Sequence, residues 1–80
     1  MKVEVRLFAT LTLFLPADGR RGVATLDVPE HATVRDLVQR LGIPADLERV
    51  TLVNGGNATP EHTLHPGDVV TLFPPLSGGR

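Results

Sequence analysis

The chain has 80 residues, eight basic and nine acidic, with a formal net charge of −1 and no cysteine, tryptophan or tyrosine. That length allows one domain with a core near the lower limit of independent folding, and leaves no room for an enclosed active site with its own supporting residues. The charge balance provides no basic stripe, so nucleic acid is not an expected partner, and the missing thiols exclude disulfides, zinc–thiolate sites and a cysteine nucleophile.

Residues 2 to 8 alternate, with Val3, Val5 and Leu7 on one face and Lys2, Glu4, Arg6 and Phe8 on the other, which predicts a strand with one face buried. The segment Ala9 to Pro16 reads either as a continuation of that strand or as one helical turn capped by Thr10, with Leu11, Phe14 and Leu15 folding back on the core. The turn is the preferred reading. A polar connection, Ala17 to Gly22, leads to a second strand from Val23 to Val28, with Ala24, Leu26 and Val28 facing one way. Arg20-Arg21 in that connection reads as a solvated loop rather than a phosphate contact.

Thr33 to Leu41 carries the strongest helical signal. Thr33 is placed to cap, Asp36 stands where a carboxylate suits the exposed N–H groups, and Val34, Leu37, Val38 and Leu41 form one apolar stripe. Gly42 supplies the stop and Pro44 follows it. Residues 44 to 48 predict a single turn, and Val50 to Val53 a short strand closed by Asn54-Gly55-Gly56, a tight turn that needs positive φ. A connection with room for a very short edge strand runs from Asn57 to Leu64, Pro66-Gly67-Asp68 makes another turn, and Val69 to Phe73 is the last strand. Its register sets Val70 and Leu72 on one face and Val69, Thr71 and Phe73 on the less buried other. Phe73 is then either part of a docking patch or a cover for the sheet edge. The elements sum to an α+β fold, a mixed sheet of four to five strands with one main helix packed across one face.

Few groupings suggest chemistry. His62, His65 and Asp68 have a spacing that suits a metal on a helix, but Pro60, Pro66 and Gly67 argue against a helix there, so turn histidines are expected and no metal site. Ser77 is the only serine, no triad can be assembled, and Gly55-Gly56 lacks the helix and lysine of a phosphate loop. The chain therefore reads as having no catalytic site of its own. The first residues do not form a signal region and no run approaches transmembrane length, which predicts a cytoplasmic protein without a membrane partner.

The distinctive stretch is the end. Pro74 and Pro75 lack a donor N–H and stop sheet pairing, and Leu76-Ser77-Gly78-Gly79-Arg80 follows as a tail whose glycines can lie in a channel that a side chain would block. Residues 1–75 are thus expected to form the domain and 76–80 a flexible tail.

The Pro66-Gly67-Asp68 turn, the apolar strand, Phe73-Pro74-Pro75 and Gly78-Gly79 in that order resemble the end of the ubiquitin-like sulfur carriers. That family includes the small subunit of molybdopterin synthase and the thiamine-pathway sulfur carrier. Val5-Arg6-Leu7-Phe8-Ala9, Ala32 to Leu37 and Val53-Asn54-Gly55 are similar too, and the likeness is closer to the molybdopterin-type members. The resemblance implies a β-grasp fold and a sulfur carrier. An E1-like partner holding ATP and magnesium would adenylate the terminal glycine, and sulfur would then replace AMP to give a thiocarboxylate. Mapped here, Gly79 carries the sulfur, Gly78 gives slim access, and Val69, Phe73, Pro74, Pro75 and Leu76 meet partners. Those partners would be the adenylating enzyme and the molybdopterin synthase large subunit or an equivalent sulfur acceptor. The chain departs from the pattern in ending at Arg80, which leaves Gly79 without a free carboxylate. Three explanations stand: removal by a processing protease, an arginine foreign to the natural sequence, or loss of the chemistry in a domain that only binds. Conjugation through Gly79 to other proteins is the alternative activity of the same fold.

Overall fold

In a computed structural model, described over residues 1–75, the chain forms one five-stranded mixed sheet with a helix across it. The strands are β1 (Lys2–Leu7), β2 (Val23–Asp27), β3 (Val50–Val53), β4 (Gly56–Asn57) and β5 (Val69–Phe73), and the helix is α1 (Val34–Leu41). The spatial order is β2-β1-β5-β3-β4, with β1 and β5 parallel and the other neighbours antiparallel. This places the first and last strands side by side at the centre of the sheet.

Period-2 patterning decides which face meets the helix. Val3, Val5 and Leu7 of β1 and Val70 and Leu72 of β5 are buried, and they join Val34, Leu37, Val38 and Leu41 of α1 in one core. Burying Leu37 completely, as here, stabilises the fold by about 1.5–3 kcal/mol. An eight-residue helix is too short to persist alone, so this contact holds it.

Both ends of α1 are closed by specific groups. The Asp36 N–H donates to Thr33 Oγ1 at 3.3 Å, and Asp36 Oδ2 accepts from the Thr33 N–H at 3.0 Å, completing the expected capping box. The donation from Thr33 holds the Asp36 carboxyl below its ordinary value. The two preceding donors, Val34 N–H and Arg35 N–H, are taken by the carbonyls of His62 and Pro60. Residues 60 to 64 are therefore more than a connection: they close the helix start, and Leu64 is buried beneath them. At the far end Gly42 adopts φ 82°, the left-handed stop that the sequence predicts.

The segment after β1 is a 3-10 helix, Ala9–Phe14, with Leu11 buried and Phe14 and Leu15 packed against the core. Folding back is as expected, but the cap is not. Phe8 occupies the cap position with no side-chain bond, while Thr10 lies inside the turn. The chain reaches that turn through Ala9 at φ 54°, a left-handed residue that no propensity argument points to. Asn54 and Gly55, at φ 51° and 87°, make the expected tight turn between β3 and the two-residue β4.

Candidate functional site: the outer sheet face and the end of β5

The face turned away from α1 follows from the register. Val50 lies opposite Phe73 and Leu52 opposite Thr71, while Glu4 and Arg6 of β1 stand opposite Val69 and Thr71 on the other side. Alternation puts all of these, with Val23 of β2, on the outer face. Val69, Thr71, Phe73, Val50 and Leu52 are each half-buried, and Glu4 pairs with Arg6 beside them.

The site residues at the end of β5 divide in two. Phe73, Pro74 and Pro75 are half-buried at the point where the chain continues toward residue 76. Leu76, Gly78 and Gly79, and with them the expected tail 76–80, lie outside the described residues. Because β5 sits between β1 and β3, Phe73 has no sheet edge to cover. It belongs to the outer face instead.

One member of this surface stands on the face that the alternation predicts but outside the expected site residues. Phe8 is 51% exposed, is extended at φ −124°, and donates its N–H to the Leu72 carbonyl, so it stands beside Phe73 on the outer face. The available signal was its place in the alternation: it occupies the polar register after Lys2, Glu4 and Arg6. Together Phe8, Phe73, Val50 and Val23 make an apolar, partly open surface around the exit of the last strand.

The other end of β5 is fixed by a polar clamp. Asn54 Nδ2 donates to Asp68 Oδ1 at 3.0 Å, the His65 N–H donates to Asp68 Oδ2 at 2.8 Å, and the Val69 N–H donates to Asn54 Oδ1 at 2.9 Å. Two turns that the sequence presents as separate are thereby tied across β3 and β5. Burial pushes the Asp68 carboxyl up, but the His65 N–H and the Asn54 amide outweigh it and hold the group below its ordinary value. The sign follows directly. A carboxyl depressed in the folded state stabilises fully above its unfolded pKa, and that contribution is lost as pH falls through the folded value. Denaturant titration of Asp68→Ala at neutral pH should show a loss of about 1–3 kcal/mol, since two donors are left unpaired. The difference between variant and wild type should begin to shrink as pH falls below the ordinary aspartate value, about 3.9, and keep shrinking as pH falls through the lower folded value. An undiminished gap in acid would mean that packing, not charge, sets the effect.

Among the described residues, no group of three His, Asp or Glu side chains is placed to hold a metal ion. His65 Nδ1 stands 3.9 Å from Asp68 Oδ2, whose oxygens are already engaged by the clamp. No helix among these residues is long and apolar enough to cross a membrane.

The chain matches the Mut7-C ubiquitin family over residues 1–77. No curated protein matches it significantly. Among solved structures, it is 28% identical to small archaeal modifier protein 1 of Haloferax volcanii, covering 94% of this chain and 98% of that one, with a TM-score of 0.75. It is also 28% identical to a putative molybdopterin converting factor, subunit 1, from Pyrococcus furiosus, over 94% and 98% of the two chains, with a TM-score of 0.72. At 24% identity, with a TM-score of 0.61 and 99% and 100% of the two chains covered, it shares the fold of a chain in the complex of subunits 1 and 2 of the Helicobacter pylori molybdopterin-converting factor.

Proposed function

Since the chain belongs to the Mut7-C ubiquitin family, within the ubiquitin-like sulfur carriers and modifiers, we propose that it is a sulfur carrier loaded at Gly79 and serving molybdopterin formation. The observation that carries this reading is the apolar outer face converging on Phe73-Pro74-Pro75, directly ahead of Gly78-Gly79. Such a face gives a partner something to hold while the terminus is worked on elsewhere.

The chemistry runs through the Gly79 carboxylate. Its oxygen attacks the α-phosphorus of ATP held with magnesium on an E1-like enzyme, and pyrophosphate leaves. Hydrosulfide then attacks the carbonyl carbon, AMP departs with the electron pair, the sulfur's proton passes to solvent, and a thiocarboxylate remains. A carboxylate is a poor acyl donor, and the acyl-phosphate bond makes it a good one. The acceptor side would be a large subunit like the one whose complex the Helicobacter pylori protein forms. A free carboxylate at Gly79 requires that Arg80 be absent or removed.

The likeness to the archaeal modifier favours a second reading, in which Gly79 is joined to lysines of other proteins. Intact-mass measurement of the chain from its native cells tests both. A mass short by one arginine, with one oxygen replaced by sulfur, is the expected result. A ladder of larger conjugates without thiocarboxylate would select the modifier, and a full-length chain retaining Arg80 would overturn both in favour of a binding domain.

A further inference from the structure

Of the eight basic residues only Lys2 is a lysine, and the topology separates it from the exit of β5. Arg6 stands opposite Thr71 and Val23, Arg20 bridges to Val23, Arg21 follows it, and Arg49 precedes Val50, the partner of Phe73. Four arginines therefore ring the end from which residue 76 onward continues. Lys2 sits at the opposite end of β1, six residues and about 20 Å from Phe8 along the strand. The Met1 ammonium lies at that far end as well, donating to Asp27 Oδ1 at 3.2 Å and to the Val28 carbonyl at 2.7 Å.

This pattern has a chemical reading that rests on the carrier function proposed above. An activated acyl group is captured by unprotonated amines, whereas a guanidinium stays protonated and does not attack. A tethered end meets groups near its own anchor at effective concentrations in the millimolar range, roughly. We infer that the exit end is kept free of amines, so that an activated Gly79 is not captured by its own chain, and that Lys2 is the single side-chain acceptor for acylation. Arginine preserves the positive charge around the exit while removing the nucleophile, and the chain also lacks cysteine as a competing acceptor. Any isopeptide between copies would then have one linkage. The Lys2 Nζ bonds to the Gly79 carbonyl carbon, the leaving group departs with its electron pair, and the amine's extra protons pass to solvent.

The test uses the 79-residue chain prepared as a C-terminal thioester of 2-mercaptoethanesulfonate, held at mildly alkaline pH and followed by intact mass and peptide mapping. The expected result is that wild type loses its thioester mainly by hydrolysis. The small amide fraction should map to Lys2 and vanish in Lys2→Arg. Arg20→Lys should form a cyclic amide several-fold faster, at a rate independent of protein concentration. Arg20→Lys no faster than wild type, amide formation in wild type at the rate of that variant, or amide mapping to Met1 would each overturn the inference. Because the thioester is made chemically, failure of adenylation in cells would sink the carrier reading without altering this outcome.

Discussion

In a chain ending at residue 79, Gly79→Ala should cut thiocarboxylate yield by about 100-fold or more, the scale of loss that misplacing a reacting group by an ångström brings. Its melting curve should coincide with that of the parent. The two halves of this expectation have separate causes. Among the described residues the core runs from Val3 to Leu72, and Gly79 has no side chain to contribute to packing. In the proposed chemistry the reacting carbon, in contrast, belongs to Gly79 itself, and a Cβ there would stand beside the carboxylate wherever a partner encloses it. Gly78→Ala should show a smaller loss, because it blocks access without altering the reacting residue. A chain retaining Arg80 should give no product, since the Gly79 carbonyl is then an amide. The measurement is mass spectrometry after incubation with the adenylating enzyme, ATP, magnesium and a sulfur source. Undiminished product from Gly79→Ala would remove the need for a terminus without a side chain, and the proposed role of Gly79 with it.

Much of the fold was legible because local patterns and tertiary packing agree. Val3, Val5 and Leu7 alternate in sequence and are buried together, and Thr33, Asp36 and Gly42 mark the helix ends that are observed. The unread parts depend on contacts between residues far apart in the chain. Phe8 becomes a surface residue of interest only once β1 and β5 pair in parallel, which brings it beside Phe73. Asn54 and Asp68 each satisfy a turn rule alone, so nothing local announces that their side chains bond to each other. The closure of α1 by the carbonyls of Pro60 and His62 is likewise invisible, because any residue type has a carbonyl to offer. The Thr10 cap failed for a related reason. A left-handed Ala9 starts the 3-10 turn one residue earlier than side-chain preferences indicate.

Phe73→Ala should weaken binding to the adenylating enzyme by about 2 kcal/mol, near 30-fold in Kd, the range of a central aromatic contact. Stability should fall by no more than about 1 kcal/mol, because the ring covers an outer face and leaves no internal void. Its neighbour in the strand sets the contrast. Leu72 is completely buried against the helix, and Leu72→Ala should cost about 2–5 kcal/mol by opening a cavity. One residue of register thus separates a core side chain from one on the outer face, where docking is proposed. Phe8→Ala provides the second arm, since its side chain is 51% exposed and shares the same end of the sheet. If Phe8 and Phe73 meet one partner surface, the double variant should deviate from additivity, as groups sharing a contact do. Calorimetric titration against the enzyme, paired with thermal melts of each variant, distinguishes the cases. A large drop in melting temperature with unchanged affinity for Phe73→Ala would make that residue structural, and the docking face would then have to lie elsewhere on the domain.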